Sequence, residues 1–185
     1  MANYHHGNLR RVIMDAAVEA ITESGIASWS LRELARRAGV SHAAPAHHFG
    51  DKAGLLTAVA AEGFALFADA LAAAGDDLLD TGVAYVRFAV EHRAHFEVMY
   101  SPDLYRVDDP EVTAARDRAT EELARGVRTI TADPSREGHF GIAAWSIAHG
   151  FATLWLNGVL PPELGDDVEE AARPVLRMLV QKVTD

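Results

Sequence analysis

Apolar residues recur every three or four positions along nearly the whole chain, which is the spacing of one face of an α-helix. Near the N-terminus, the apolar positions that share one side of a helix are Val12, Ile13, Ala16, Ala17, Ala20 and Ile21. No segment shows the strict alternation of apolar and polar residues that marks a half-buried strand. The pattern therefore predicts an all-α fold.

Capping residues, glycines and prolines define the expected helix boundaries. The first helix is expected over about 9–23, between Asn8 as its N-cap and Gly25. A long apolar helix is expected from about Lys52 to Ala74. Further helices, separated by breaks that contain proline, are expected over about 81–99, 110–130, 136–160 and 167–183.

The polar stretch Gly75-Asp76-Asp77 is the expected domain boundary. Residues 1–54 are predicted to form a three-helix domain, and the helix over 52–74 is predicted to link it to a second helical domain, 75–185.

Residues 30–49 predict a helix-turn-helix, two short helices joined by a turn that contains glycine. Ser30 and Glu33 have the spacing of a capping box, in which the hydroxyl accepts the Glu33 amide and the carboxylate reaches back. Gly39 permits the turn, and Ser41 is expected to cap a second helix over 42–49. Such a glycine turn also occurs in many helical proteins without a nucleic-acid function.

The outer face of that second helix is expected to read DNA. Small alanines let a helix sit deep in the major groove, and histidines can donate to phosphates or base edges. Nearby cations can hold the phosphate backbone. The residues expected to contact DNA are Ser41, His42, Ala44, His47, His48, Arg10, Arg11, Arg36, Arg37 and Lys52.

The net charge of −10 argues at first against nucleic acid, but its distribution is uneven. Residues 1–54 carry six basic and five acidic side chains and five of the nine histidines, whereas residues 55–185 carry 11 basic and 22 acidic side chains. The less acidic N-terminal part is where DNA contact is expected. The chain has no cysteine, and its first residues have no apolar run typical of a signal peptide, so a cytoplasmic location is expected.

The stretch 30–56 resembles the DNA-binding domain of TetR-family repressors. It contains the Ala-Gly-Val-Ser turn, an aromatic-rich second helix and the following Asp-Lys-x-x-Leu-Leu. The opening Tyr-His-His-Gly-Asn-Leu-Arg over 4–10, together with Trp145, His149 and Gly150, resembles a TetR subgroup with a C-terminal Trp…His-Gly motif. The resemblance implies a homodimer that binds a near-palindromic operator, and dimers of this kind reach half-sites about 34–36 Å apart.

The chain departs from the family at Ala46, where a tyrosine that contacts phosphate is usual. His47 and His48 are expected to compensate. A histidine is mostly neutral at pH 7.4, because its ordinary pKa is about 6.5. We therefore expect operator binding to tighten below pH 7.

Large side chains over 85–100 and 140–151 predict an apolar cavity with a few polar groups, the usual composition of a small-molecule site. An ordinary aromatic core, with satisfied buried histidines, is the alternative. The resemblance implies an effector site in this region, and the residues expected to line it are Tyr85, His92, Phe96, Met99, Tyr100, Trp145 and His149.

The last two helices carry more apolar surface than one monomer layer needs, and the family resemblance implies that they pair with a second copy. The expected interface residues are Leu154, Trp155, Val175, Leu176 and Leu179. A ligand that favours a conformer with wrongly spaced recognition helices would lower DNA affinity.

No catalytic motif is present, so no enzymatic function is predicted, and no cofactor or metal site is expected. The spacing of His92 and His95 beside Glu91 and Glu97 is too weak a pattern to predict zinc. A repressor released by a small apolar ligand is thus expected. The alternative is a helical ligand-binding protein whose DNA binding is weak or lost.

Overall fold

The computed structural model describes residues 6–131 and 133–180, and this part of the chain contains helices and no strand. The helices are α1 (His6–Ser24), α2 (Leu31–Arg37), α3 (Ala44–Phe49), α4 (Lys52–Ala74), α5 (Leu78–Glu91), α6 (Arg93–Met99), α7 (Pro110–Arg128), α8 (Pro134–Leu156) and α9 (Val168–Val180). Short 3-10 turns lie at Pro102–Leu104 and Pro162–Leu164. The predicted all-α fold is confirmed.

The single helix expected over 81–99 is wrong, because the chain breaks at His92. This residue has φ −118° and ψ 41°, outside the helical region, and ends α5 with its N–H bonded to the Phe88 carbonyl at 2.8 Å. Its ring stacks on Phe88 at a centroid distance of 4.9 Å. A separate helix, α6, then starts at Arg93.

Helix α4 is long and apolar enough to cross a membrane by length and composition alone, and it is the one described helix of this kind. Most of its residues are buried within the fold. Burial on most sides is what an apolar core helix requires.

The first compact unit contains, among the described residues, 6–64 and 93–115. Its core joins the inner faces of α1, α2 and the start of α4, and its fully buried members include Ile13, Ala17, Leu34, Leu55 and Val59. Helix α6 completes this unit. A Cβ at Gly63 would lie 2.8 Å from the Met99 sulfur, so the glycine allows α6 to approach α4 closely.

The second compact unit contains residues 65–92, 116–131 and 133–180 of the described chain. Helix α5 packs against α8 and α9, and its buried face carries Tyr85, Val86 and Phe88. The two compact units do not coincide with the predicted domains 1–54 and 75–185. The domain boundary at residues 75–77 stays a prediction.

Candidate functional sites

Helix α2 begins at the predicted cap, but only half of the capping box forms. The Ser30 hydroxyl accepts a hydrogen bond from the Glu33 amide at 3.3 Å. The Glu33 carboxylate instead accepts from Arg36 at 2.6 Å and from Arg37 at 3.4 Å. These guanidinium groups hold the pKa of Glu33 below its ordinary value. The predicted return bond from the carboxylate is therefore wrong, because the two arginines attract it more strongly.

Helix α3 begins two residues later than expected. Ala43 is its N-cap and has no side-chain cap, so the prediction that Ser41 caps the helix is wrong. Residues 41–43 form a turn closed by the Ala44 amide and the Ser41 carbonyl at 3.0 Å. Pro45 lies in the first turn, where its missing N–H has no cost.

The exposed face of α3 also differs from the predicted one at Ala44, which is 8% exposed and therefore buried. Ala44, Pro45 and Phe49 are the buried residues of α3. The predicted DNA contact of Ala44 is therefore wrong. Ala43 and Ala46 are exposed in its place. Of the other predicted contact residues, Ser41, His42 and His47 are exposed, and His48 is half-buried.

Three of the arginines that were predicted to contact DNA each contact a different group of the protein. Arg10 lies over the Phe49 ring at 5.3 Å, which puts an exposed cation next to α3. Arg37 forms an ion pair with Glu23 at 2.6 Å, and Arg11 is paired with Asp15 and Glu62. Exposed pairs of this kind are weak and can exchange for phosphate.

Lys52 holds the loop between α1 and α2. Its ammonium donates to the carbonyls of Ile26 at 3.0 Å and Trp29 at 3.1 Å, and it lies 4.1 Å from the Trp29 ring centroid. Burial lowers its pKa. Two of its three N–H donors are thus used inside the protein, and its predicted phosphate contact stays a prediction.

A polar junction at the start of α4 was not predicted from the sequence. The Asp51 carboxylate caps α4 by accepting from the Gly54 amide at 2.7 Å. Arg106, in the segment between α6 and α7, donates from one nitrogen to both Asp51 oxygens at 3.0 and 2.9 Å. No local sequence signal links these residues, because they are 55 positions apart.

A hydrogen-bonded group in the second unit brings together three of the predicted effector-site residues. The Trp145 indole donates to the Tyr85 hydroxyl at 3.1 Å, and that hydroxyl lies 2.9 Å from His149 Nδ1. Because an indole can only donate, the tyrosine oxygen is an acceptor here and its proton can go to His149. Burial lowers the pKa of His149, which favours the neutral imidazole that this arrangement needs.

A cluster of aromatic rings extends from the ring of Tyr85. Phe67 lies edge-on to Tyr85 at 5.0 Å and 4.9 Å from Phe88, against which His92 stacks. Within the second unit, His92 is thus joined to the same aromatic cluster.

The other predicted effector-site residues belong to the first unit. Phe96 and Met99 are buried there, and Phe96 contacts Tyr100 at a ring distance of 4.9 Å. His95, also buried, lies 3.7 Å from Glu62. All of these predicted residues follow the break at His92, so they are not part of α5.

The predicted dimer residues divide into exposed and internal ones. Leu176 is only 2% exposed, and its side chain lies against Gly82, so its assignment to an interface is wrong. Leu179 is half-buried and packs on the cluster of Leu78, Val127 and Ala144. Leu154 is 45% exposed, while Trp155, stacked on Phe151 at 6.1 Å, and Val175 are half-buried.

Two further apolar side chains of the last two helices are strongly exposed. Ile142 on α8 is 61% exposed and Met178 on α9 is 74% exposed. Over residues 6–131 and 133–180, no group of three or more His, Asp or Glu side chains is arranged to hold a metal ion.

Comparison with known proteins identifies relatives along both halves of the chain. Residues 13–59 match the profile of bacterial regulatory proteins of the tetR family, and residues 78–179 match the tetracyclin repressor-like C-terminal domain. The HTH-type transcriptional regulator BetI of Escherichia coli K12 is 27% identical over 168 aligned positions, with 82% of this chain and 82% of that one covered.

Solved structures show the same fold. A protein of unknown function from Rhodococcus sp. RHA1 is 33% identical, with a TM-score of 0.75 over 98% of this chain and 100% of that one. The TetR-like regulator LfrR of Mycobacterium smegmatis, solved in complex with proflavine, is 18% identical, with a TM-score of 0.65 over 96% of this chain and 98% of that one. The chain belongs to the TetR family of bacterial transcriptional regulators.

Proposed function

We propose that this regulator is a repressor that binds a near-palindromic operator as a homodimer and is released by a small apolar molecule. The observation that carries the proposal is the exposed face of α3, in a unit whose residues 13–59 match the family's regulatory domain. A cytoplasmic location follows from an operator on the chromosome.

The DNA-contacting set is revised by the geometry of α3. Its members are Ser41, His42, Ala43, Ala46, His47 and, in part, His48. Exposed small side chains allow α3 to lie deep in the major groove. Arg10 and Arg36 lie at the surface beside α2 and α3, where cations can position the duplex through its phosphates.

The dimer interface is proposed on the exposed faces of α8 and α9. Ile142, Leu154 and Met178 expose apolar side chains there. Gly150 lies mid-helix, and a Cβ at this position would meet nothing within 4 Å. Since glycine disfavours a helix and this chain's own packing does not need it, Gly150 suits the close approach of a helix from a second copy.

The effector site is proposed around Tyr85, His92, Trp145 and His149 of the second unit, while the roles expected for Phe96, Met99 and Tyr100 in the first unit stay predictions. The aromatic cluster supplies apolar contacts, and the Tyr85–His149 pair supplies polar ones. LfrR binds proflavine on a similar fold. The Trp145, His149 and Gly150 motif supports the Trp…His-Gly subgroup of the family.

One observation favours a second candidate function, a ligand-binding protein with weak DNA binding. Ala46 is exposed, and it provides no hydroxyl where the family usually has one. The two functions differ in whether the protein binds its own promoter.

Fluorescence anisotropy with the DNA next to the protein's own gene, against a scrambled duplex, separates them. The repressor should bind the first duplex roughly 1,000-fold more tightly, a typical specificity ratio. His47→Ala should weaken binding, and Arg93→Gln, on the exposed side of α6, should not. Binding should also tighten from pH 8 to pH 6 at fixed salt. Equal affinity for both duplexes would support the ligand-binding protein instead.

A further inference from the structure

We propose that Arg106, which lies outside the helix-turn-helix sequence, is a positioning residue for the recognition helix α3. The segment that carries it, between α6 and α7, belongs to the same compact unit as α3. The inference rests on the proposed function in one respect, that α3 reads DNA, and it assigns a role in that reading to a residue with no DNA contact.

The direction of α3 depends on a link of two residues, Gly50 and Asp51. Gly50 has φ +78°, in the left-handed region, and its amide closes the last turn of α3 on the Ala46 carbonyl at 2.8 Å. The Asp51 amide donates to the Phe49 carbonyl at 3.0 Å, while its carboxylate caps α4. Asp51 therefore joins the end of α3 to the start of α4 through both its main chain and its side chain.

Arg106 holds this link at two points. Its guanidinium bonds both carboxylate oxygens of Asp51, and its backbone amide donates to the Thr57 hydroxyl at 3.0 Å. The Thr57 hydroxyl donates in turn to the Ala53 carbonyl at 2.7 Å. Because the main chain of Arg106 is fixed on α4, its side chain reaches Asp51 from a defined position.

Gly54 shows how closely these groups meet. A Cβ there would lie 1.9 Å from the Phe49 carbonyl oxygen and 2.7 Å from Arg106 Nη1. The last residue of α3 and the guanidinium therefore both pack on the bare Cα of Gly54. Glycine inside a helix is disfavoured, so its presence in the first turn of α4 is explained by this approach.

A competing explanation is that Arg106, about half exposed, binds a DNA phosphate itself. The two explanations predict opposite effects for Asp51→Asn. If Arg106 positions α3, losing the carboxylate charge loosens the link and weakens DNA binding. If Arg106 binds phosphate, the same change frees the guanidinium and removes a negative charge, and binding tightens. Asparagine is itself a good N-cap, so α4 still begins normally.

The DNA measurement compares Asp51→Asn, Arg106→Gln, Arg106→Lys and the control Arg93→Gln, which removes an exposed ion pair of 2.7 Å elsewhere in the same unit. With the duplex next to the protein's own gene, we expect the first two variants to bind about three- to fivefold more weakly, the range of a good surface ion pair. Arg106→Lys should restore most of the loss, since one nitrogen makes both bonds. The log–log salt slope should not change. Tighter binding by Asp51→Asn, or a slope flatter by about one in Arg106→Gln, would overturn the proposal.

Hydrogen exchange tests the positioning without DNA. The Gly50 and Asp51 amides should exchange about three- to fivefold faster in Asp51→Asn and Arg106→Gln, and at the wild-type rate in Arg93→Gln. Unchanged exchange at both amides would overturn the proposal even if DNA binding fell. A wild-type protein that bound no specific DNA would instead contradict the proposed function, and the exchange result would still decide whether Arg106 holds α3.

Discussion

At the scale of single residues, His149 couples its protonation to the integrity of the second unit. Its Nδ1 lies within hydrogen-bond distance of the Tyr85 hydroxyl, which is already an acceptor for Trp145. Burial lowers the pKa of His149 relative to the unfolded chain. The folded protein therefore binds this proton less readily than the unfolded one.

The sign of the pH dependence follows from that difference. Above the ordinary pKa of histidine, both states are neutral and the full stability is present; as pH falls below about 6.5, the unfolded state gains a proton first and stability is lost. We expect wild type to lose more stability between pH 7.5 and 5.5 than His149→Asn, whose amide oxygen still accepts from Tyr85. Urea unfolding at the two pH values measures this. An identical loss in both proteins would show that His149 does not contribute.

At the scale of elements, α3 illustrates how exposure decides which side chains can reach DNA. Its register places Ala46 outward, at the position where the family usually has a tyrosine. The short helix depends on its neighbours, because six residues cannot form a stable helix alone. Substitutions on its outer face should therefore change binding more than folding.

We expect Ala46→Tyr to strengthen operator binding about fivefold, the effect of one added hydrogen bond to a phosphate. Ala46→Phe is the matched control, because it adds the ring without the hydroxyl. Anisotropy titrations at fixed salt compare the three proteins. Equal gains from tyrosine and phenylalanine would mean that the ring, and no phosphate hydrogen bond, is responsible.

Several elements could be predicted from the sequence because their signals are local. Ser30 begins α2 as its spacing to Glu33 indicates, and prolines mark the gaps before α7 and α8. The break at His92 could not be predicted, since neither proline nor glycine is present there. The burial of Ala44 could not be predicted from the capping pattern, because α3 starts two residues later than that pattern indicates.

The residues of the candidate sites could likewise be predicted only where the sequence carries a local signal. Tyr85, Trp145 and His149 were selected from aromatic spacing, and the structure joins them. Arg106 had no signal, because its partners are distant in sequence. Leu176 was assigned to the dimer interface for a related reason. An apolar residue on an amphipathic helix can face its own chain or a second copy, and only the packing of Leu176 against Gly82 shows that it faces its own chain.

At the scale of the whole molecule, the proposed function needs two copies, because one short recognition helix reads too few base pairs. Exposed apolar side chains lie on α8 and α9, where the dimer interface is proposed. Its most exposed members, Ile142 and Met178, should therefore matter more for dimerisation than Leu176.

We expect Ile142→Glu to weaken the dimer at least tenfold, since a buried unpaired charge in an interface costs several kcal/mol. Leu104→Glu, at another exposed apolar position, is the matched control and should leave the dimer intact. Sedimentation equilibrium measures both. A dimer of unchanged affinity in Ile142→Glu would place the interface elsewhere.

The unit that holds α3 is assembled from two separate stretches of chain, with residues 65–92 inserted between them. During synthesis the first stretch leaves the ribosome long before α6 and Arg106 do. Domains generally fold as units during synthesis, and this unit is complete only after residue 115 has been translated. If Arg106 positions α3 as proposed, an unfinished polypeptide that ends before this residue holds its recognition helix less firmly, so a stalled or truncated product would compete poorly for the operator.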